Sequence, residues 1–88
     1  MDIKNKSRIY WACRRGMREL DLLIMPFFQH DFDFLSKNDQ KIFLRLLQSN
    51  DPDLLNWLMH YEVPEDTDLQ RIVSIIQQRN QTREFVIG

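Results

Sequence analysis

Apolar residues recur along most of the chain at intervals of three and four positions, and a strict alternation of apolar and polar residues is absent. Spacing of this kind predicts α-helices that each bury one apolar face. The pattern divides the chain into five segments. The first two lie at residues 3–14 and 17–32, and the others open near Ser36, near Asp51 and near Asp66 or Thr67. We therefore predict an all-α fold, a compact single-domain bundle of five short helices.

Residues that commonly start helices support two of these boundaries. Ser36, followed three positions later by Asp39, resembles a capping box. In the run Asn50–Asp53, we expect Asp51 as the N-cap and Pro52 as the first helical residue. The third and fourth helices should therefore begin at these two points.

The inner faces of the helices follow from the same spacing. Pro26 lies inside the second segment, but the apolar stripe keeps its phase across it, so we expect one continuous helix with a kink. The stripe that this helix should bury consists of Met17, Leu20, Leu23, Ile24, Phe27 and Phe28. On the fourth helix the predicted inner face consists of Leu54, Trp57, Leu58 and Tyr61.

Composition is that of a small globular domain, with 43% hydrophobic and 28% charged residues in a chain of 88. We expect the bundle to occupy residues 1–80 and residues 81–88 to form a flexible C-terminal tail. The single cysteine cannot form an internal disulfide, no signal peptide opens the chain, and no apolar run approaches the ~20 residues of a membrane span. These features predict a soluble, cytoplasmic protein without membrane insertion.

Charge is distributed unevenly, although the formal net charge is only −1. Residues 1–20 carry six Lys or Arg and two Asp or Glu, whereas residues 21–70 carry three and ten. The basic block also contains Tyr10 and Trp11, so a small nucleic-acid binder is one hypothesis. The acidic middle of the chain and a sequence pI of about 6.1 oppose it.

Gly16 is the only glycine before the last residue, and it lies between the first two predicted helices. We expect it in the left-handed conformation, as the C-terminal cap of the first helix. A tight turn between helices fixes the directions of its side chains, so residues 14–19, here called the corner, are the predicted functional surface. Arg8 and Trp11 share a helical face with Arg15. The candidate partner-binding residues are Arg8, Trp11, Arg14, Arg15, Gly16, Arg18 and Glu19.

Catalytic chemistry finds little support in the sequence. Cys13 precedes two arginines that would stabilise a thiolate, but its helical spacing fits a small core residue at least as well. No histidine is placed beside it as a base, and His30 and His60 lack a metal-ligand spacing. We predict no enzymatic activity, no catalytic residue and no bound metal.

The run WACRRGMRELD at residues 11–21 resembles the signature of the succinate dehydrogenase assembly factor family. The central motif of that family, Arg-Gly-x-x-Glu, is met by Arg15, Gly16 and Glu19. Residues 46–47, 51–54 and 56–58 also resemble the family pattern, and the resemblance covers residues 5–80 at consistent spacing.

The resemblance implies a five-helix assembly chaperone that promotes covalent attachment of FAD to the flavoprotein subunit of succinate dehydrogenase. The flavoprotein of fumarate reductase is a further partner that the resemblance allows. It implies that the chain holds no cofactor stably and acts on the FAD of its partner, and we expect a monomer that binds no nucleic acid. An antitoxin-like regulator is the alternative protein-interaction role.

For the corner, the resemblance singles out Arg15 and Glu19 as partner contacts. Both are expected to project from the corner, and neither fills the core, so each should be replaceable without unfolding the bundle. The alternative for Arg15 is an internal ion pair with Glu19, which in this order is worth only about 0.3 kcal/mol.

Overall fold

Residues 2–82 are described by a computed structural model, and they form five α-helices and one 3₁₀ turn. The elements in chain order are α1 (Lys6–Cys13), α2 (Arg18–His30), the 3₁₀ turn (Phe32–Phe34), α3 (Lys37–Leu46), α4 (Asp51–Leu58) and α5 (Thr67–Thr82). This part of the chain contains no strand. The prediction of an all-α bundle of five helices is confirmed.

The central helix is α2, because it packs against α1, α4, α5 and the 3₁₀ turn. Its predicted inner stripe forms around Leu20, Ile24 and Phe27, which have no exposed surface. The remaining members of the stripe, which are partly buried against the core, are Met17, Leu23 and Phe28. Pro26 lies within α2 and does not end it, as the unbroken phase of the stripe predicted.

Three phenylalanines meet in the core at the end of α2. The ring of Phe43 lies 5.4 Å from that of Phe27 and 5.6 Å from that of Phe32, measured between centroids. Tilted aromatic pairs at these distances are favourable beyond the area that they bury. The second segment therefore differs from its predicted extent: α2 ends at His30, and the 3₁₀ turn that follows brings Phe32 into the core.

The predicted start of α3 is confirmed at Ser36. Its hydroxyl accepts a hydrogen bond from the Asp39 backbone N–H at 3.1 Å, which satisfies one of the free donors of the first turn. The Asp39 carboxylate lies 2.6 Å from Nη1 of Arg71, and this ion pair joins α3 to α5.

The predicted N-cap of α4 was one residue too far along the chain. The N-cap is Asn50, whose side chain accepts from the Asp53 N–H at 2.9 Å, so that Asp51 and Pro52 are the first two helical residues. Asparagine caps a helix as well as aspartate does. Because Asn50 supplies the cap, the Asp51 carboxylate remains available for another contact.

The inner face of α4 is narrower than predicted. Leu54 and Leu58 are buried, but Trp57 is only partly buried and Tyr61 is 71% exposed. The helix ends at Leu58, so Tyr61 no longer follows its apolar face. The prediction was therefore wrong for Tyr61 and overstated the burial of Trp57.

His60 closes α4 in the left-handed conformation, with φ of 66°. Its N–H bonds to the Trp57 carbonyl at 3.3 Å, and the Tyr61 N–H bonds to the Asn56 carbonyl at 2.8 Å. These two bonds define a Schellman motif, in which glycine is the preferred residue at the left-handed position.

We expect His60→Gly to stabilise the protein by about 0.5 to 1 kcal/mol. The substitution removes the steric cost of a side chain in this conformation, and part of the gain is offset by the greater freedom of glycine in the unfolded chain. A change of this size raises the Tm by a few degrees, which thermal unfolding followed by circular dichroism measures. A lower Tm would contradict the assignment of strain to His60.

The last helix begins at Thr67, as predicted, but it continues through Thr82, two residues beyond the predicted end. The remainder of the predicted tail, residues 83–88, lies outside the described residues. Within residues 2–82, no helix combines the length and the apolar character needed to cross a membrane.

Candidate functional site

The corner passes from α1 to α2 through an extended segment and a left-handed glycine. α1 ends at Cys13, and Arg14 has extended backbone angles. Gly16 has φ of 77°, so its left-handed conformation is confirmed. Its predicted role as the C-terminal cap of α1 is wrong, because two residues separate it from the helix end and the intervening Arg15 N–H bonds to Asp21.

Asp21 fastens this segment to the first turn of α2. One carboxylate oxygen accepts from the Arg15 N–H at 2.9 Å, and the other lies 3.7 Å from Nε of Arg14. A carboxylate in the first turn also interacts favourably with the helix dipole. This role of Asp21 is not visible in the sequence, because the carboxylate reaches back six positions to a donor whose location depends on the turn at Gly16.

The guanidinium of Arg15 points into the protein and binds the junction between α3 and α4. Nε donates to the Asp51 carboxylate at 2.8 Å, and Nη2 donates to the Ser49 carbonyl at 2.8 Å. Nη1 donates to the carbonyls of Ala12 and Leu47, each at 2.9 Å. The side chain is only 16% exposed. Arg15 therefore joins the end of α1 to the end of α3 and the start of α4.

This arrangement corrects two predictions about Arg15. It does not project from the corner, and its ion pair is with Asp51 rather than with Glu19. The physical reason is that carbonyls near helix C-termini have no partner within the helix, and a planar group with five donors can satisfy several of them together. Arg15 is therefore not expected to be replaceable without loss of stability. Its side chain acts as a structural clamp between the helices that it joins.

The other charged residues of the corner face outward. Glu19 and Arg18 are exposed, and within residues 2–82 neither side chain makes a hydrogen bond or an ion pair. Arg14 is also exposed, with Nη1 3.5 Å from the Tyr10 hydroxyl. The corner thus presents two cations and one anion on a backbone that Asp21 and Arg15 hold in place.

Arg8 and Trp11 lie one turn apart on α1, and both are exposed; Trp11 exposes 66% of its surface. Trp11 contacts Tyr10 edge to face, with ring centroids 5.4 Å apart. The predicted common face of Arg8, Trp11 and Arg15 does not form, because α1 ends before Arg15. At this exposure, Trp11 is not a core residue.

Cys13 is a core residue. It has no exposed surface, and burial raises the pKa of its thiol to about 12, against a smaller lowering by Arg15. The thiol is therefore protonated at neutral pH, and the alternative of a reactive thiolate is wrong. His30 and His60 are exposed, and no group of metal-binding side chains occurs in residues 2–82.

Comparison with known proteins identifies the family of the chain. The model of the family described as flavinator of succinate dehydrogenase matches residues 7–80. The chain is 63% identical over 83 residues to the FAD assembly factor SdhE of Pectobacterium atrosepticum and to that of a Serratia species, and 57% identical to that of Yersinia pseudotuberculosis. Each alignment covers 94% of both chains. Because the match extends over nearly the whole fold and includes the corner, the chain belongs to the family of succinate dehydrogenase flavinators.

Proposed function

We propose that this protein is an assembly factor that binds the immature flavoprotein subunit of succinate dehydrogenase and promotes the covalent attachment of FAD to it. The observation that carries the proposal is the match to the flavinator family over residues 7–80. It is supported by relatives named FAD assembly factor that align over 94% of the chain.

The corner is the surface that we propose for this contact. Arg14 and Arg18 offer cationic donors, and Glu19 offers a carboxylate with no partner within residues 2–82. A surface on a rigid backbone loses less conformational entropy on binding, because its backbone is already ordered. The contacts that Arg15 and Asp21 make to the loop provide this rigidity.

The mode of action that we propose is a shift of population. A binding protein favours one conformation of its partner by the difference between its affinities for the competing conformations. Bound to the flavoprotein, the chain stabilises the arrangement in which the flavin and the residue that receives it are aligned. The chain itself has no enzymatic activity under this proposal and holds no FAD stably, and the protonated, buried thiol of Cys13 is consistent with that role.

We further propose that the chain acts as a monomer in the cytoplasm and binds no nucleic acid. Its main partner under this proposal is the flavoprotein of succinate dehydrogenase, and the flavoprotein of fumarate reductase is a second partner. Co-purification with each flavoprotein, followed by light scattering of the complex, measures both the preference and the stoichiometry.

The decisive experiment measures covalent flavin on the flavoprotein subunit in cells that lack this chain. Denaturing gels retain only covalently bound flavin, so its fluorescence reports attachment directly. We expect a large loss of fluorescence in the deletion strain and recovery when the chain is supplied again. Equal flavin fluorescence in both strains, at equal amounts of flavoprotein, would contradict the proposed function.

Gly16 offers a test of whether the partner approaches the backbone of the corner. Among residues 2–82, a Cβ at this position would have no atom within 4 Å beyond its two chain neighbours, so the expected cost of substitution is the strain of φ 77°. We expect Gly16→Ala to lose about 1 kcal/mol of stability and Gly16→Asn to recover part of it, because asparagine tolerates the left-handed region. Thermal unfolding checks both values.

The same two variants then separate conformation from contact. If Gly16→Asn restores folding but supports flavin attachment poorly, the partner lies against the glycine. If it restores both, the role of Gly16 is conformational alone.

A further inference from the structure

A groove with a volume of about 470 Å³ lies beside the corner, along the outer side of α2. Its apolar lining on α2 is Leu22, Met25 and Pro26. Met25 and Pro26 lie three and four positions after Leu22, so the three residues share one side of the helix. Leu22 is 54% exposed, whereas its neighbour Leu20 has no exposed surface. Met25 also packs against the edge of the core, so this stripe borders the face of α2 that is buried, and Leu22 is its most exposed member.

The end of the groove nearest the corner is positively charged. Arg14 and Arg18 line it, together with one acidic residue, Asp21. The two oxygens of Asp21 face the Arg15 N–H and Nε of Arg14, so this carboxylate is already engaged within the protein. The surface offered to a ligand therefore combines an apolar floor with two arginines at one end.

Pro26 interrupts the hydrogen bonding of α2 beside the groove. Proline has no N–H, so the helical hydrogen bond to the Leu22 carbonyl is missing. Both residues line the groove.

We propose that the groove receives an exposed segment of the flavoprotein subunit in which an apolar side chain stands next to an Asp or Glu. The apolar side chain packs against Leu22 and Met25, and the carboxylate pairs with Arg14 and Arg18. An apolar anchor surrounded by a polar rim is the arrangement that concentrates binding energy at protein interfaces, and arginine binds carboxylates through two parallel hydrogen bonds. This inference rests on the proposed function and extends its surface from the corner along α2.

The test uses the purified chain and the purified flavoprotein subunit without FAD, with the affinity measured by calorimetry. Leu22→Asp removes the apolar contact and adds a charge that repels an acidic segment, and we expect at least about a tenfold loss of affinity. The matched control is Phe34→Asp, at an apolar residue of the 3₁₀ turn that is 87% exposed and does not line the groove. We expect the control to bind like the unchanged chain.

The charged end of the groove is tested separately. Arg18→Glu is expected to weaken binding by about tenfold or more, and Arg18→Lys by much less, because lysine keeps the charge and loses only the forked geometry. Circular dichroism of each variant establishes that the fold is retained. Equal affinity of Arg18→Glu and the unchanged chain would overturn the acidic part of the proposal.

A photo-crosslinking amino acid in place of Met25 identifies the occupant. We expect mass spectrometry to find a peptide of the flavoprotein that contains an apolar residue next to Asp or Glu. A peptide without an acidic residue, or chemical-shift changes confined to the groove on addition of FAD alone, would overturn the proposal. If the unchanged chain does not bind the flavoprotein at all, the proposed function fails. If it binds and Leu22→Asp binds equally well, only the groove is excluded.

Discussion

Arg15→Ala is expected to destabilise the protein by about 2 to 4 kcal/mol, the largest effect of any single change at the corner. The substitution leaves the Asp51 carboxylate and three backbone carbonyls without the donor that they share. When a buried carbonyl loses its hydrogen-bond donor, the loss of stability exceeds the net contribution of the bond, because water does not fully replace the donor. For a domain of this size, the Tm should fall by about 10 to 20 °C in thermal unfolding.

Two further variants show whether the loss comes from the clamp. Arg15→Lys should recover only part of the stability, because an ammonium does not reach four acceptors in a planar fork. Arg18→Ala, which removes an exposed arginine with no internal partner in residues 2–82, should change stability by less than about 0.5 kcal/mol. An unchanged Tm for Arg15→Ala would show that the clamp contributes nothing to folding.

A double-mutant cycle with Asp51 isolates the ion pair within this network. Arg15 Nε and the Asp51 carboxylate are 2.8 Å apart, and the two side chains are 16% and 33% exposed. We expect a coupling energy of about 1 kcal/mol, since the pair is partly screened by solvent. If the effects of the two substitutions on the free energy of unfolding are additive, the ion pair contributes no coupling energy. The backbone carbonyls would then be the main acceptors of Arg15.

Glu19→Ala is expected to abolish most of the flavin attachment while leaving the fold intact. The carboxylate lies in the first turn of α2, where it is worth about 0.3 to 1 kcal/mol to the helix, and it makes no hydrogen bond or ion pair within residues 2–82. At an interface, removal of one member of a charge pair costs about 2 kcal/mol or more, which is over tenfold in affinity. The measurement is in-gel flavin fluorescence of the flavoprotein, with the variant as the only assembly factor in the cell.

Asp53→Ala is the matched control for Glu19→Ala. Asp53 is also an exposed carboxylate in the first turn of a helix, α4, so its loss has a similar effect on stability but lies outside the corner. We expect normal flavin attachment with Asp53→Ala. Normal attachment with Glu19→Ala would remove Glu19 from the functional surface and direct attention to Arg8 and Trp11.

The predictions for Arg15→Ala and Glu19→Ala assign different physical roles to the two charged residues of the Arg-Gly-x-x-Glu motif. Loss of function in Arg15→Ala follows from lost structure, because Arg15 is a positioning residue that holds the turn against α3 and α4. Loss of function in Glu19→Ala, at unchanged stability, follows from a lost contact. An activity assay of Arg15 variants is therefore informative only beside a measurement of their folded fraction.

The sequence by itself determined the features that depend on local interactions. The five helices, the cap at Ser36, the left-handed Gly16 and the buried stripe around Ile24 all follow from residues within a few positions of one another. Helical periodicity, capping and steric freedom act over one or two turns, so a linear pattern contains them. The signature at residues 11–21 identified the family for the same reason, since it is a local run.

Only the tertiary structure decided which way the corner residues face. Arg15 binds Asp51, 36 positions away, because the packing of α2 against α1 and α4 brings the turn to the start of α4. The same packing covers one apolar stripe of α2 and leaves Leu22 exposed in the groove. Periodicity shows that a helix has apolar faces, but whether a face is covered depends on which neighbour the folded chain places against it.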